Sequence, residues 1–295
     1  MAQKKRRTPA RSREIGAVLG EVRTRAKLTE RALARKMGCS ESKISRMENG
    51  ARGATEFDVI TFMAHCGCPN EEIQGVLALV REDNDSYRLR PHGDQIPDDL
   101  GALIAQEATA GGIAAFEPQL IPGILQTREY ARALFHAFGI TPKEKIESCV
   151  VRRINRQKLL RRSEPVRFTF FVHEQAFRGV IGGSRVMQEQ LLKLIFETSQ
   201  DHCVIRVVPE PALVGGIPGG AFRLMRYADS GPVAYVPLLN SSLFFEEPSD
   251  VSAYQEVLSY LPRLALSGQE SRHWLAELAS DYERRADVAE ELQRA

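Results

Sequence analysis

Between Thr29 and Gly50 the chain reads TERALARKMGCSESKISRMENG, and this stretch holds its most chemically capable side chains. Arg31, Glu41, Ser42, Lys43, Ser45 and Arg46 all fall within it. Their chemistry is hydrogen bonding and charge, not bond making. A guanidinium can donate two parallel hydrogen bonds to guanine O6 and N7, worth about 1–3 kcal/mol of discrimination. Ammonium groups and hydroxyls hold phosphate oxygens, which adds affinity without sequence information. Arg46 and Ser42 are the candidate base contacts, and Lys43, Ser45 and Arg31 the candidate phosphate contacts. Glu41 opens the same segment. Such groups read a groove only when a helix is held rigidly in it, so the surrounding elements matter.

Those elements are marked by caps and periodicity. Ile15, Leu19 and Val22 recur at helical spacing and predict a first helix. Thr29 caps a second helix carrying Leu33, Ala34 and Met37, which Gly38 ends. Ser40 caps a third, over 41–48, and Asn49-Gly50 stops it. On a helical wheel Ile44, Met47 and Glu48 share one side of this third helix. Ser42 and Arg46 lie opposite, with Ser45 and Lys43 flanking them. Ile44, Met47, Leu33 and Met37 are core candidates, and Glu48 reads as a capping or ion-pair residue. Thr55 begins a fourth helix with Phe57, Ile60 and Ala64 on one side. A fifth, about 71–81, carries Ile73, Val76, Leu77 and Val80.

Charge is unevenly placed. The chain of 295 residues has a formal net charge of +2, but residues 1–52 hold 15 Lys and Arg against 5 Glu. A basic end on a mildly acidic body points to a polyanion partner for that end. Residues 1–11 read as a disordered basic arm. No apolar run follows that arm and none is long enough to span a bilayer, so a cytoplasmic location is expected. The cysteines, Cys39, Cys66, Cys68, Cys149 and Cys203, are odd in number and scattered, and read as free thiols. Cys66-Gly-Cys68 lacks the second ligand pair of a zinc site.

Residues 82–97 read as a linker, polar with two prolines and a glycine. Beyond it helices are predicted at about 98–110, 127–138, 142–162, 184–199, 249–265 and 270–292. Strands are predicted at Val166–Val172, Cys203–Val208, Phe222–Tyr227 and Val233–Leu239. Arg152, Arg153, Arg156, Arg161 and Arg162 form a run that reads as a solvated helix face, or as a surface for an acidic partner or extra DNA. His173-Glu174 lacks the second histidine of a zinc-protease helix, and Gly215–Gly220 lacks the Lys-Ser/Thr of a phosphate loop. Cys149 and His173 are a conceivable nucleophile and base, but nothing in the sequence places them together, and no catalysis, metal or cofactor is expected.

Gly16, Leu19, Val22, Arg23, Leu28-Thr29, Leu33-Ala34, Gly38, Ser40 and Ile44–Gly50 together resemble the lambda-repressor-like (xenobiotic-response-element) helix-turn-helix family. The resemblance covers about 65 residues. It departs at Glu30, where the family has Gln, and at Arg52-Gly53-Ala54, where a proline often stands. Phe116–Ala131 (FEPQLIPGILQTREYA), Arg152–Gln157 and Met187–Leu191 resemble the C-terminal domain of WhiJ-like actinobacterial regulators, often labelled antitoxin-like. That likeness implies a transcription regulator paired with a small neighbouring protein.

The expected architecture is an all-α helix-turn-helix domain of five helices at 12–81 and a larger α+β domain at 98–295. The expected function is a repressor-type regulator that binds double-stranded operator DNA as a homodimer, because one short helix reads too few base pairs alone. The second domain would supply dimerisation and receive a signal. Two alternatives stand beside this. One is an antitoxin-like partner of a small protein, binding DNA for autoregulation. The other is a small-molecule receptor with an apolar pocket near Phe116, Phe168, Phe170 and Phe222.

Overall fold

A computed structural model describes residues 10–50, 54–81, 87–91, 101–162, 166–213 and 220–294. Five helices make the N-terminal head: α1 (Ala10–Arg25), α2 (Glu30–Lys36), α3 (Glu41–Glu48), α4 (Glu56–His65) and α5 (Asn70–Arg81). Their inward side chains form one apolar cluster around Leu19, Leu33, Ile44, Met47, Phe62 and Met63. Burial of such side chains, at roughly 1.5–3 kcal/mol each, is what holds short helices that would be marginal alone. Met37 packs against the cluster but is only half-buried. Thr29, Ser40 and Thr55 cap α2, α3 and α4 through their side chains, and Thr55 with Asp58 completes a capping box. On α4 the buried side is Val59, Phe62 and Met63. The Phe57, Ile60 and Ala64 side faces solvent instead, with Phe57 75% exposed.

The body is α+β, as expected. Its mixed seven-stranded sheet has the order β1-β7-β6-β5-β2-β3-β4. The strands are β1 (Tyr87–Pro91), β2 (Gly112–Glu117), β3 (Arg167–His173), β4 (Cys203–Val208), β5 (Phe222–Arg226), β6 (Val233–Pro237) and β7 (Ser241–Phe245). β2, β3 and β4 run parallel, and the other pairings are antiparallel. The helices are α6 (Gly101–Thr109), α7 (Arg128–Phe138), α8 (Ile146–Arg156), α9 (Gln175–Arg178), α10 (Ser184–Glu197), α11 (Pro248–Leu264) and α12 (Gly268–Arg294). Strand alternation divides the core in two. Phe168, Phe170 and Val172 of β3 face α10 and α12 with Leu191, Leu194, Leu275 and Leu278. Phe171 turns the other way, into a cluster with Phe116, Phe222 and Leu224 that α11 covers with Val251, Leu258 and Leu261. The four aromatics suggested as a pocket therefore fill these two cores.

Three strands were not predicted. β2 (GIAAFE) is central and almost wholly buried, so it shows no apolar–polar alternation. β7 (SSLFF) is short. β1 (YRLRP) lies within the segment read as a linker. Its proline ends an edge strand, where a missing N–H costs no ladder bond. The remainder of that linker lies outside the described residues, as do residues 1–9 of the basic arm and Gly215–Gly219. The arm's last two residues, Ala10 and Arg11, belong to α1, and Ala10 is fully buried.

The first turn of α1 is built into the body. The Ala10 amide donates to Glu246 Oε2 at 2.7 Å, and Gln106 Nε2 donates to Ala10 O at 2.8 Å. Arg13 is buried, with its guanidinium 3.8 Å from the Tyr227 ring centroid. It donates from Nε to Gln106 Oε1 and from Nη1 to Ser230 Oγ, each at 2.9 Å. Glu14 is gripped by Arg90 of β1 through Nε (2.8 Å) and Nη2 (2.8 Å), and Arg88 pairs with Glu246.

Candidate nucleic-acid interface

α3 stands on α1 by a contact that only glycine permits. A Cβ on Gly16 would lie 2.4 Å from the Glu48 carbonyl oxygen and 2.7 Å from that of Met47. The missing side chain lets the two backbones touch. A bidentate ion pair fixes the angle between them. Arg23 Nε donates to Glu48 Oε1 at 2.5 Å, and Nη2 to Oε2 at 2.7 Å. Arg23 also donates to the Leu28 carbonyl at 2.7 Å, tying down the α1–α2 turn. Its hydrogen bond to Glu48 outweighs burial and raises the guanidinium pKa. Glu48 is thus the ion-pair residue its wheel position implied. Gly50, after α3, has φ +66° and packs against the backbone of Ser12 and Arg13, where a Cβ would come within 2.7 Å.

With Ile44 and Met47 buried, the outer face of α3 consists of polar groups. Glu41, Ser42 and Arg46 are exposed, and Ser45 is half-buried at their flank. Arg46 Nε donates to the Ser42 carbonyl at 3.1 Å, which lays its side chain back along the helix. Arg31 is exposed on α2, beside the first turn of that helix. Lys43, a candidate phosphate contact, has a partner within the head. Its Nζ donates to Asp58 Oδ1 at 2.6 Å and so bridges α3 to the capping box of α4. Burial raises the Asp58 pKa, but hydrogen bonds from Lys43 and Thr55 outweigh it and hold the carboxyl below its ordinary value. Glu41, Ser42, Ser45 and Arg46 therefore share the polar side of α3, with Lys43 fastening the helix to α4, and Arg31 stands exposed on α2. The sequence reading passed over Arg35 and Lys36, two exposed cations in the last turn of α2. The basic composition of that turn was their signal.

The remaining thiols and the Cys149–His173 idea resolve simply. All five cysteines are free, and Cys149 packs with Ala131, Phe135 and Val150. His173 Nδ1 accepts from the Gln175 amide instead. Burial pushes the Cys66 thiol up to about 11. Among the described residues no group of His, Cys, Asp and Glu is arranged to hold a metal ion, and no helix is long and apolar enough to cross a membrane.

A family model described as a domain of unknown function (DUF5753) matches residues 100–277, which cover the α+β body from α6 into α12. The chain belongs to the DUF5753 family. A second model, described as a helix-turn-helix domain, matches residues 14–74, from α1 into α5. No curated protein matches the chain. This DUF5753 protein thus carries an N-terminal helix-turn-helix domain, the module of a DNA-binding regulator.

Each arginine of the body's run has a partner within the body, and Arg152, Arg161 and Arg162 stay exposed beside theirs. Arg153 donates to Gln126 at 2.7 Å and lies over Phe135. Arg161 pairs with Glu197 at 2.6 Å, and Arg162 donates to the Ala108 carbonyl at 2.6 Å. Arg152 reaches Cys149 Sγ at 3.4 Å. Arg156 is buried and bidentate to Glu107, with both distances 2.7 Å. Arg223 of β5 then bridges Glu107 (3.2 Å) and Glu117 (3.1 Å). The result is a buried row of alternating charge, Arg156–Glu107–Arg223–Glu117. Burial raises the Glu107 pKa, but Arg156 and then Arg223 outweigh it and hold that carboxyl below its ordinary value. At Glu117, which pairs directly with Arg223 and feels Arg156 more weakly, burial wins and the pKa is raised.

Proposed function

We propose that the chain is a sequence-specific, repressor-type transcription regulator of the lambda-repressor-like kind. It binds operator DNA as a homodimer, and its DUF5753 body receives a protein or small-molecule signal. The observation that carries this reading is the rigid mounting of α3 with Ser42 and Arg46 outward. A helix so fixed enters a major groove without paying much ordering entropy. Arg46 and Ser42 read base edges, Arg31 and Ser45 hold phosphates, and Glu41 can accept from cytosine N4. Lys43 contributes positive charge at the edge while staying paired with Asp58. The exposed apolar stripe of Phe57, Ile60 and Ala64 on α4 supports dimerisation through the head, since such patches mark contact surfaces.

The test is capture of genomic fragments by the purified protein at a stated salt concentration near 0.15 M, against random competitor DNA. A protected palindrome would give the half-site spacing and the dimer geometry. Failure to select any fragment, alone or with any small protein found encoded beside it, would sink the reading. Within a selected site, Arg46→Ala should lower specific affinity by about 1–3 kcal/mol and leave random-DNA affinity almost unchanged. An equal loss on both DNAs would make Arg46 a phosphate contact.

A further inference from the structure

A cleft of about 300 Å³ opens on the body where α6 meets the end of α8. Ile104 and Ala108 of α6 and Leu159 give it apolar walls, and Ile104 is 44% exposed. Its inner end is Arg156, whose side chain is only 4% exposed. Glu107 takes Nε and Nη2 of that guanidinium, and no hydrogen bond holds Nη1 among the described residues. The buried row of charges is neutral in itself, so the exposed Lys158 and Arg162 at the mouth are a local surplus of positive charge. Apolar walls with a few convergent cationic donors suit a small amphipathic anion. At roughly 30 Å³ per water-sized volume, the cleft has room for about ten non-hydrogen atoms.

α6 lies between this cleft and the head. Glu107 lines the cleft, and Gln106 beside it holds α1 at the Ala10 carbonyl and the Arg13 guanidinium. Arg13 in turn abuts Gly50 at the end of α3 through its backbone. A carboxylate seated on Arg156 competes with Glu107 for the guanidinium and so bears on the helix that clamps α1.

We propose that the cleft between α6 and α8 is an effector site for a small apolar carboxylate, and that its occupancy changes DNA affinity through the Gln106–Arg13 clamp. The coupling half of this proposal rests on the reading of α3 as the DNA-contacting helix; the binding half does not. A ligand shifts the head only by its unequal affinity for the two arrangements, and known couplings of this kind span about 5–150-fold.

The experiment uses the full chain with octanoate and phenylacetate as probes, acetate as the charge-only control and octanol as the tail-only control. Isothermal titration and thermal shift report binding. Fluorescence anisotropy on a selected DNA fragment reports coupling. Saturable one-to-one binding of at least one probe is expected, weakened about tenfold or more in both controls. Lys158→Glu with Arg162→Glu should abolish it at an unchanged circular dichroism spectrum. Ala108→Phe, which fills the cleft without touching charge, should do the same. Saturating probe should move the DNA Kd of the wild type about fivefold or more, and that of Ala108→Phe not at all. Absence of probe binding, or equal binding by Ala108→Phe, would overturn the site. Binding at an unmoved DNA Kd would overturn the coupling. Probe binding by a protein that selects no DNA would leave the site standing and remove the reading of the head.

Discussion

Two arginine-bearing helices set the halves of this molecule apart. α3 sends Arg46 into solvent, bonded among the described residues only to a carbonyl of its own helix. α8 and the turn after it carry Arg152, Arg153, Arg156, Arg161 and Arg162, and each of these has a partner within the body. α3 keeps Arg46 available to an outside polyanion, whereas α8 and its following turn use their arginines first for contacts within the body. Similar residue types with similar helical spacing thus serve opposite ends. What separates them, for Arg153, Arg156, Arg161 and Arg162, is a carboxylate or carbonyl brought close by the fold from far away in the chain.

The comparison breaks first where charge is buried. Glu107→Gln removes the anion shared by Arg156 and Arg223, and the fold should lose about 3–5 kcal/mol. The loss should depend on pH. The folded pKa of Glu107 is lowered, so its contribution is complete above the ordinary carboxylate value of about 4.3 and fades as pH falls through the lowered one. Thermal melts of wild type and variant should therefore converge on acidification. A gap that persists unchanged would assign the loss to packing.

Next is the seat of α3. Gly16→Ala drives a methyl into the Glu48 carbonyl, and the head should lose up to about 3 kcal/mol along with DNA affinity. Head stability from urea titration checks this, and an unchanged midpoint would contradict the contact. Arg23→Ala takes away the bidentate partner of Glu48 and should cost about 1.5 kcal/mol, the low end for a hydrogen bond to a charged group. Smallest in stability should be Arg46→Ala, within about 0.5 kcal/mol, although its effect on specific DNA affinity is the largest of the head variants. A marked drop in melting temperature for Arg46→Ala would erase the contrast between the two helices.

Much of the head was legible in the sequence because its signals are local. Thr29, Ser40 and Thr55 announce helix starts, and the wheel of α3 separates Ile44 and Met47 from Ser42 and Arg46. The fate of Lys43 was not legible, because Asp58 reaches it across a turn. Nor was the outward side of α4. Phe57, Ile60 and Ala64 keep helical spacing as well as Val59, Phe62 and Met63 do, and periodicity alone cannot say which stripe is buried. In the body, α10 and β3 stood out by composition. β2 did not, since a strand covered on both faces loses the alternation that marks an amphipathic one. The clamp on Arg13 joins residues of α1, α6 and the β5–β6 turn, a contact no local pattern encodes.

The pairing of Tyr87–Pro91 with Ser241–Phe245 sets an order of events during synthesis. The head leaves the ribosome first and can close its own cluster of Leu19, Leu33, Ile44 and Phe62 at once. β1 must then wait, unpaired, until nearly the whole sheet has been made. A chain halted before Ser241 should therefore show a protease-resistant head that is cut readily on its C-terminal side. Docking of the head through Ala10 and Glu14 therefore has to follow synthesis of Ser241–Glu246, which completes its seat.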